Sequence, residues 1–150
     1  MSASQNEFSV CYFSMKPVRP STTSSREVLI IEHDEAIRRL LVELVRRNGC
    51  KAFGAASLSE ASMELTQRDY ALVIFDTHLP GGRAMNIPRF LREHPGMALT
   101  PIVAVSSDDT PKYIEDIIDS GADQFVVKPI RREEVRQLLS LYSLLSVVES

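Results

Sequence analysis

Residues 72–81, Leu-Val-Ile-Phe-Asp-Thr-His-Leu-Pro-Gly, decide the fold of this chain. The apolar run Ala71–Phe75 is short and unbroken, which is typical of a strand buried on both faces of a parallel sheet. Pro80 and Gly81 mark the turn that follows. Asp76 closes the run beside the low-dielectric core, where an unpaired charge is costly. The segment therefore predicts a central strand that delivers an acid to the edge of the sheet.

Strand and helix signals alternate on both sides of this run. Strands are predicted at Val28–Ile31, Lys51–Ala55, Ala71–Phe75, Ile102–Val105 and Gln124–Val127. The first two predicted helices start at the cap Asp34 and at the capping box of Ser57 and Glu60. A third helix is predicted near Ile87–His94, and a fourth starts at Thr110-Pro111. The last helix is predicted to run from about Arg131 towards Val147. Five such alternations predict an α/β fold with a doubly wound parallel sheet and right-handed crossovers.

Length and composition limit the classes of function. The chain has 150 residues, 44% of them hydrophobic, which suits one globular domain. A net charge of −3 argues against direct, non-specific nucleic-acid binding. No apolar run is long enough to span a bilayer, and no basic residue precedes Phe8–Phe13 as in a signal peptide, so we predict a cytoplasmic protein. Ser, Thr and Pro dominate residues 1–25, which we predict to be a disordered leader, with the folded domain at residues 26–148.

Polar residues collect where the predicted strands end. Glu32, His33 and Asp34 follow the first strand, Asp76 the third, Ser106 the fourth and Lys128 the fifth. Parallel strands all point the same way, so these groups meet at the carboxyl edge, where open α/β sheets bind ligands. Taken one at a time, Asp34 also fits a helix cap, Ser106 a turn and Lys128 a solvated side chain.

A shared site of this composition suits phosphoryl chemistry. An aspartate carboxylate can attack phosphorus and form an acyl phosphate. The arriving anionic oxygens need cations, for which a lysine ammonium and an acid-bound magnesium ion are suitable. The hydroxyl of Ser106 can donate a hydrogen bond to a phosphoryl oxygen.

Five segments together resemble the receiver domain of bacterial two-component response regulators, from Glu27 to about Leu145. They are Val-Leu-Ile-Ile-Glu-His-Asp-Glu at 28–35, Ala-Ile-Arg-Arg-Leu-Leu at 36–41, the run at 72–81, Pro-Ile-Val-Ala-Val-Ser-Ser at 101–107 and Gly-Ala-Asp-Gln-Phe-Val-Val-Lys-Pro-Ile at 121–130. The resemblance implies a flavodoxin-like (βα)5 sheet of order 2-1-3-4-5. It also implies a cis Lys128–Pro129 bond.

The resemblance further implies the roles of the site residues. Asp76 takes a phosphoryl group from a phosphohistidine on a histidine kinase or phosphotransfer protein. Lys128 pairs with the phosphoryl oxygens, and Ser106 moves to bond the same group. Phe125 is the switch aromatic, which turns inward once Ser106 vacates its space. The fourth helix, last strand and last helix form the surface read by an unknown downstream protein.

The metal site implied by the resemblance is where this sequence departs from the family. Magnesium is expected on Glu32, Asp76 and the backbone carbonyl of His78, but His33 stands where the direct metal-ligating aspartate belongs. Magnesium prefers hard oxygen ligands, whereas neutral imidazole suits zinc, copper or nickel. Three outcomes stay open: Glu32 or Asp34 compensates, the domain has lost metal-dependent phosphorylation, or protonated His33 replaces part of the cation's charge.

Rival functions are also defined by the sequence. An aspartyl phosphatase of the haloacid dehalogenase type needs a second Asp at the position of His78, so we predict no metabolic enzyme. A receiver-like docking module that is never phosphorylated is the principal alternative. About twenty residues follow Ile130, which leaves no helix-turn-helix and predicts no direct DNA contact.

The last predicted helix carries apolar residues on more than one side, which suggests a homodimer or partner face. These residues are Leu138, Leu139, Leu141, Tyr142, Leu144, Leu145, Val147 and Val148.

Overall fold

The computed structural model describes residues 11–13 and 26–145, which form one six-stranded sheet between two layers of helices. The strands are β1 (Cys11–Phe13), β2 (Glu27–Ile31), β3 (Lys51–Ala55), β4 (Leu72–Asp76), β5 (Ile102–Ser106) and β6 (Gln124–Val127). The helices are α1 (Glu35–Arg47), α2 (Leu58–Gln67), α3 (Ile87–Arg92), α4 (Pro111–Asp119) and α5 (Arg132–Leu141), with a 3-10 turn at Ala84–Asn86 before α3.

The five long strands confirm the predicted topology. They are all parallel and lie in the order β3-β2-β4-β5-β6, which is the predicted order 2-1-3-4-5. The Lys128–Pro129 peptide bond is cis, as the family resemblance implied. Within the described residues, no helix combines the length and the apolar character that crossing a membrane requires.

A short strand at the sheet edge lies within the segment predicted to be a disordered leader. Residues 1–25 were expected to be a disordered leader, but β1 pairs antiparallel with β6, with Cys11 opposite Val126 and Phe13 opposite Gln124. The pairing gives hydrogen-bond partners to the outer edge of β6, which would otherwise be an open sheet edge. The other residues of the predicted leader lie outside the described part of the chain.

Burial on both faces explains why the central strands read as continuous apolar runs. Alternate residues point to opposite faces of a strand. On one face, Val28, Ile30, Leu72 and Ile74 pack with buried residues of α1 and α5, and on the other, Leu29, Ile31, Val73 and Phe75 pack with residues of α2, α3 and α4. Both faces of the sheet are therefore covered by helices.

The last helix ends earlier than predicted, and four of the eight apolar residues that suggested a partner face are buried within the chain. It stops at Leu141, after which Ser143 adopts a left-handed conformation (φ 62°) and the backbone N–H of Leu144 donates to the carbonyl of Leu139 at 2.7 Å. Leu138, Leu139, Tyr142 and Leu144 are all buried within the chain. These four residues are therefore core rather than interface, while Val147 and Val148 lie outside the described residues.

Candidate functional site

Three strand ends bring Glu32, Asp76 and Lys128 into direct contact. The Lys128 ammonium donates to Asp76 Oδ2 at 2.7 Å and to Glu32 Oε1 at 3.0 Å. Glu32 follows β2, Asp76 is the last residue of β4, and Lys128 follows β6. The structure thus assembles the predicted cluster from segments 52 and 96 residues apart along the chain.

Burial makes this cluster electrostatically important. The side chains of Glu32 and Asp76 are only 4% and 7% exposed, and that of Lys128 is 20% exposed. Burial raises the pKa of Glu32, and the hydrogen bond from the backbone of Asp34 opposes that rise only in part. Burial lowers the pKa of Lys128, but its hydrogen bonds to Asp76 and Glu32 outweigh this effect and leave it raised. Lys128 therefore remains a cation at neutral pH.

The loop after β4 fixes the second oxygen of Asp76. The backbone N–H of His78 donates to Asp76 Oδ1 at 2.8 Å. Asp76 pairs with Val105 in the ladder between β4 and β5, and the N–H of the buried Thr77 donates to the Val105 carbonyl at 3.1 Å. The carboxylate is therefore held on both oxygens by groups with a defined position.

Ser106 and Phe125 lie in the next layer of the site. Ser106 ends β5, is fully buried, and its Oγ accepts from the N–H of Asp108 at 3.1 Å. Its carbonyl accepts from the N–H of Lys128 at 2.8 Å, which links the ends of β5 and β6. Phe125 in β6 is also fully buried, so the ring predicted to turn inward already lies inside the core.

An aromatic chain that the sequence analysis missed runs from the acceptor loop to Phe125. The exposed imidazole of His78 stacks on Tyr113 of α4 with ring centroids 6.3 Å apart and an interplanar angle of 24°. Tyr113 in turn meets Phe125 edge-on, with centroids 6.2 Å apart and an angle of 88°. The available sequence signal was a single aromatic residue, Tyr113, in the first turn of α4.

The loop between β2 and α1 is held by contacts that keep Asp34 out of the cluster. Asp34 accepts from the N–H of Ile37 at 3.0 Å, so it is the helix cap, and its own N–H donates to Glu32 Oε2 at 3.0 Å. Arg38, which the sequence analysis did not single out, donates to the carbonyls of Glu32 and His33 at 2.9 and 3.3 Å. The side chains of His33 and Asp34 are exposed.

These contacts test the predicted magnesium ligands. Every carboxylate oxygen of Glu32 and Asp76 already accepts a hydrogen bond, and the substitute acid Asp34 is used as a cap. Within the part of the chain that the structure describes, no three side chains of His, Cys, Asp or Glu are grouped to hold a metal ion. His33 replaces the direct carboxylate ligand that the family resemblance implies for the loop after β2, and Lys128 already lies between the two remaining carboxylates. The residues present therefore do not fit a magnesium site and fit a lysine-neutralised pair of carboxylates.

Two concave surfaces flank the cluster. One, of about 590 Å³, lies between the loop after β4 and α4, with Thr77, His78 and Tyr113 among its lining residues. The other is an apolar groove of about 370 Å³, lined by Ile37, Leu40, Leu41, Ser107, Lys128, Pro129 and Ile130. Leu40 is 53% exposed, and the groove reaches the lysine that contacts Asp76.

Comparisons with known proteins agree with this geometry. The family model of the response regulator receiver domain matches residues 28–140. The sensory/regulatory protein RpfC of Xanthomonas campestris is 32% identical over 108 residues, which cover 71% of this chain and 15% of RpfC. The chain thus spans a small part of that relative.

Solved structures share the fold. The chemotaxis response regulator CheY4 of Vibrio cholerae superposes with a TM-score of 0.73 at 20% identity, over 81% of this chain and 100% of CheY4. The receiver domain of the sensor histidine kinase PA1611 of Pseudomonas aeruginosa has a TM-score of 0.70 at 19% identity, over 79% of this chain and 98% of that one, and contains a magnesium ion coordinated in its active-site cleft.

Proposed function

Because this chain belongs to the response regulator receiver domain family, we propose that it is a cytoplasmic phosphorelay component that is phosphorylated on Asp76. The donor is a phosphohistidine of a histidine kinase or phosphotransfer protein. Receiver domains are signalling modules rather than metabolic enzymes, which fits output through protein contacts. The observation that carries the proposal is the 2.7 Å contact between Lys128 Nζ and Asp76 Oδ2 at the carboxyl edge of the sheet.

The transfer requires one bond to form and one to break. A carboxylate oxygen of Asp76 attacks phosphorus, and the P–N bond of the phosphohistidine breaks, so that its electron pair returns to the imidazole nitrogen. Lys128 moves its hydrogen bond from the carboxylate to a phosphoryl oxygen as negative charge develops there. The N–H of His78 and the sheet hold Asp76 in place meanwhile, so little reorganisation is needed.

Signalling then depends on the surroundings of Ser106. Its hydroxyl oxygen accepts from the N–H of Asp108 in the unmodified chain, and its O–H can donate to a phosphoryl oxygen on Asp76 when the side chain moves towards that group. Because Asp108 is bonded to Ser106, this movement shifts the loop between β5 and α4. The altered surface of α4, β6 and α5 is the part read by a downstream protein or by a second copy of the chain.

The apolar groove beside Lys128 supports a protein as the phosphoryl donor. A small phosphate ester needs no hydrophobic contact, whereas a helical partner can place an apolar side chain against Leu40 and Ile37. The groove is adjacent to the acceptor, so a docked partner brings its phosphohistidine to the same edge of the sheet.

Phosphoramidate, a small N-phosphoryl donor, tests the proposal. We expect intact-mass spectrometry in magnesium-containing buffer to show one added phosphoryl group on the wild-type chain and none on Asp76→Asn. Asp34→Asn is the matched control, because Asp34 is an exposed acid of the same edge, and it is expected to label like wild type. Equal labelling of wild type and Asp76→Asn, or no labelling of wild type, contradicts the proposal, and the latter favours a docking module that works without phosphorylation.

A further inference from the structure

Lys128 already occupies the position that a shared cation would take between the two buried carboxylates. Its ammonium lies 2.7 Å from Asp76 Oδ2 and 3.0 Å from Glu32 Oε1. A divalent ion bridging the same two side chains must either displace this ammonium or lie close to it. If it lies close to the ammonium, the divalent ion and Lys128 repel each other strongly, because this buried site contains little water to screen their charges.

The loop after β2 supplies no third carboxylate to offset that repulsion. Asp34 is used to cap α1, and its backbone N–H occupies Glu32 Oε2. The residue between them is His33, whose exposed side chain is an imidazole, and imidazole is a poor magnesium ligand. Arg38 holds the carbonyls of Glu32 and His33, so the loop is fixed in this arrangement.

Gly54 permits the Arg38 contact. A Cβ atom at Gly54 would lie 3.0 Å from both Cγ and Cδ of Arg38, which shows that the arginine stem passes directly over this glycine. The position of the loop is therefore set by a neighbouring strand as well as by its own sequence. A small rotation of Asp34 into the cluster would cost both the cap and the fixed loop.

We propose that Lys128 is the resident cation of this site and that His33 excludes magnesium, so that Asp76 accepts a phosphoryl group without a bound divalent ion. The inference rests on the proposed function of Asp76 and adds its cation requirement. The Lys128 ammonium neutralises part of the negative charge that a metal ion would otherwise neutralise. It pairs with Asp76 before the transfer and with the phosphoryl group afterwards.

A binding experiment separates this inference from the proposed function. Manganese(II) serves as a paramagnetic substitute for magnesium, and its free concentration is followed by electron paramagnetic resonance. We expect His33→Asp to bind Mn²⁺ at least ten times more tightly than wild type, because the change adds one carboxylate beside Glu32 and Asp76. Gln67→Glu, at the exposed last residue of α2, adds the same charge at the end of a helix that runs away from the carboxyl edge, and it is expected to bind as weakly as wild type.

Phosphoramidate labelling with and without a chelator completes the test. Wild-type labelling is expected to be the same in EDTA as in magnesium, while labelling of His33→Asp becomes chelator-sensitive. The inference is overturned if wild type binds Mn²⁺ within a few fold of His33→Asp, or if chelation abolishes wild-type labelling. Absence of labelling under both conditions contradicts the phosphoacceptor role of Asp76, and the Mn²⁺ comparison still decides whether His33 excludes the metal.

Discussion

Replacing Lys128 by methionine removes the positive charge that contacts both buried carboxylates. Methionine keeps most of the length of the aliphatic stem, so the change tests charge more than packing. Each contact of the ammonium, at 2.7 and 3.0 Å, corresponds to a gross attraction of about 6 kcal/mol at an effective dielectric constant near 20. Most of this attraction is offset in the folded protein by the desolvation of Lys128.

The net effect follows from what the substitution leaves behind. Glu32 and Asp76, 4% and 7% exposed, would face each other without a counter-ion. Removing one partner of a buried ion pair costs about 3–5 kcal/mol, and the 20% exposure of Lys128 places this case at the lower end, about 3 kcal/mol. The same change lowers the melting temperature by about 10 °C in a domain of this size.

Urea unfolding followed by circular dichroism at neutral pH measures the difference. The control is Lys112→Met, which removes an exposed ion pair with Asp116 at 3.0 Å and should leave the midpoint unchanged. The variant that also carries Glu32→Gln and Asp76→Asn should regain most of the stability lost in Lys128→Met, because no buried charge remains unpaired. If Lys128→Met unfolds within about 1 kcal/mol of wild type, the buried triad is not held as described.

Three further predictions concern residues around the site and the core. Tyr113→Ala should lower the free energy of unfolding by about 1 kcal/mol or more through loss of its edge-on contact with Phe125; an unchanged urea midpoint would count against the contact. Arg92→Leu should cost about 3 kcal/mol, because Arg92 bonds the buried Asp123 carboxylate at 2.8 Å, and a loss no larger than that of an exposed arginine variant would refute this. Burial raises the pKa of Tyr70, so the folded state holds the phenol proton more firmly than the unfolded state does. The free energy of unfolding should therefore fall as pH rises above the ordinary phenol pKa of 10.0. In unfolding measured from pH 8 to 11, Tyr70→Phe should show a smaller fall than wild type, and an equal fall in both proteins would contradict the prediction.

Local signals in the sequence were sufficient for the parallel sheet. Unbroken apolar runs identified the strands because a parallel sheet is buried on both faces, and Asp34 and Ser57 identified helix starts because their side chains cap free N–H groups. The order of the strands needed the family resemblance, since apolar runs carry no information about which neighbour each strand takes. Strand β1 was not predicted, because it forms only by pairing with β6, which lies more than one hundred residues further along the chain.

The sequence predicted the residues of the candidate site but not the contacts that they make. Its members, Glu32, Asp76, Ser106 and Lys128, follow from sequence because each residue is tied to the end of a strand, and parallel strands end at one edge. Their partners do not follow, because hydrogen bonds are decided by distances of tenths of an ångström between segments remote in sequence. The aromatic contact between His78 and Tyr113 is of this kind.

The sequence by itself determined which side chains reach the carboxyl edge, because strand direction and period are local properties of the chain. Only the tertiary structure decided how those side chains share their charges: that Lys128 bridges Glu32 and Asp76, and that Asp34 turns away to cap α1. The physical reason is that electrostatic and hydrogen-bond energies depend on distance and burial, and these are set only when the sheet, the helices and their loops pack together.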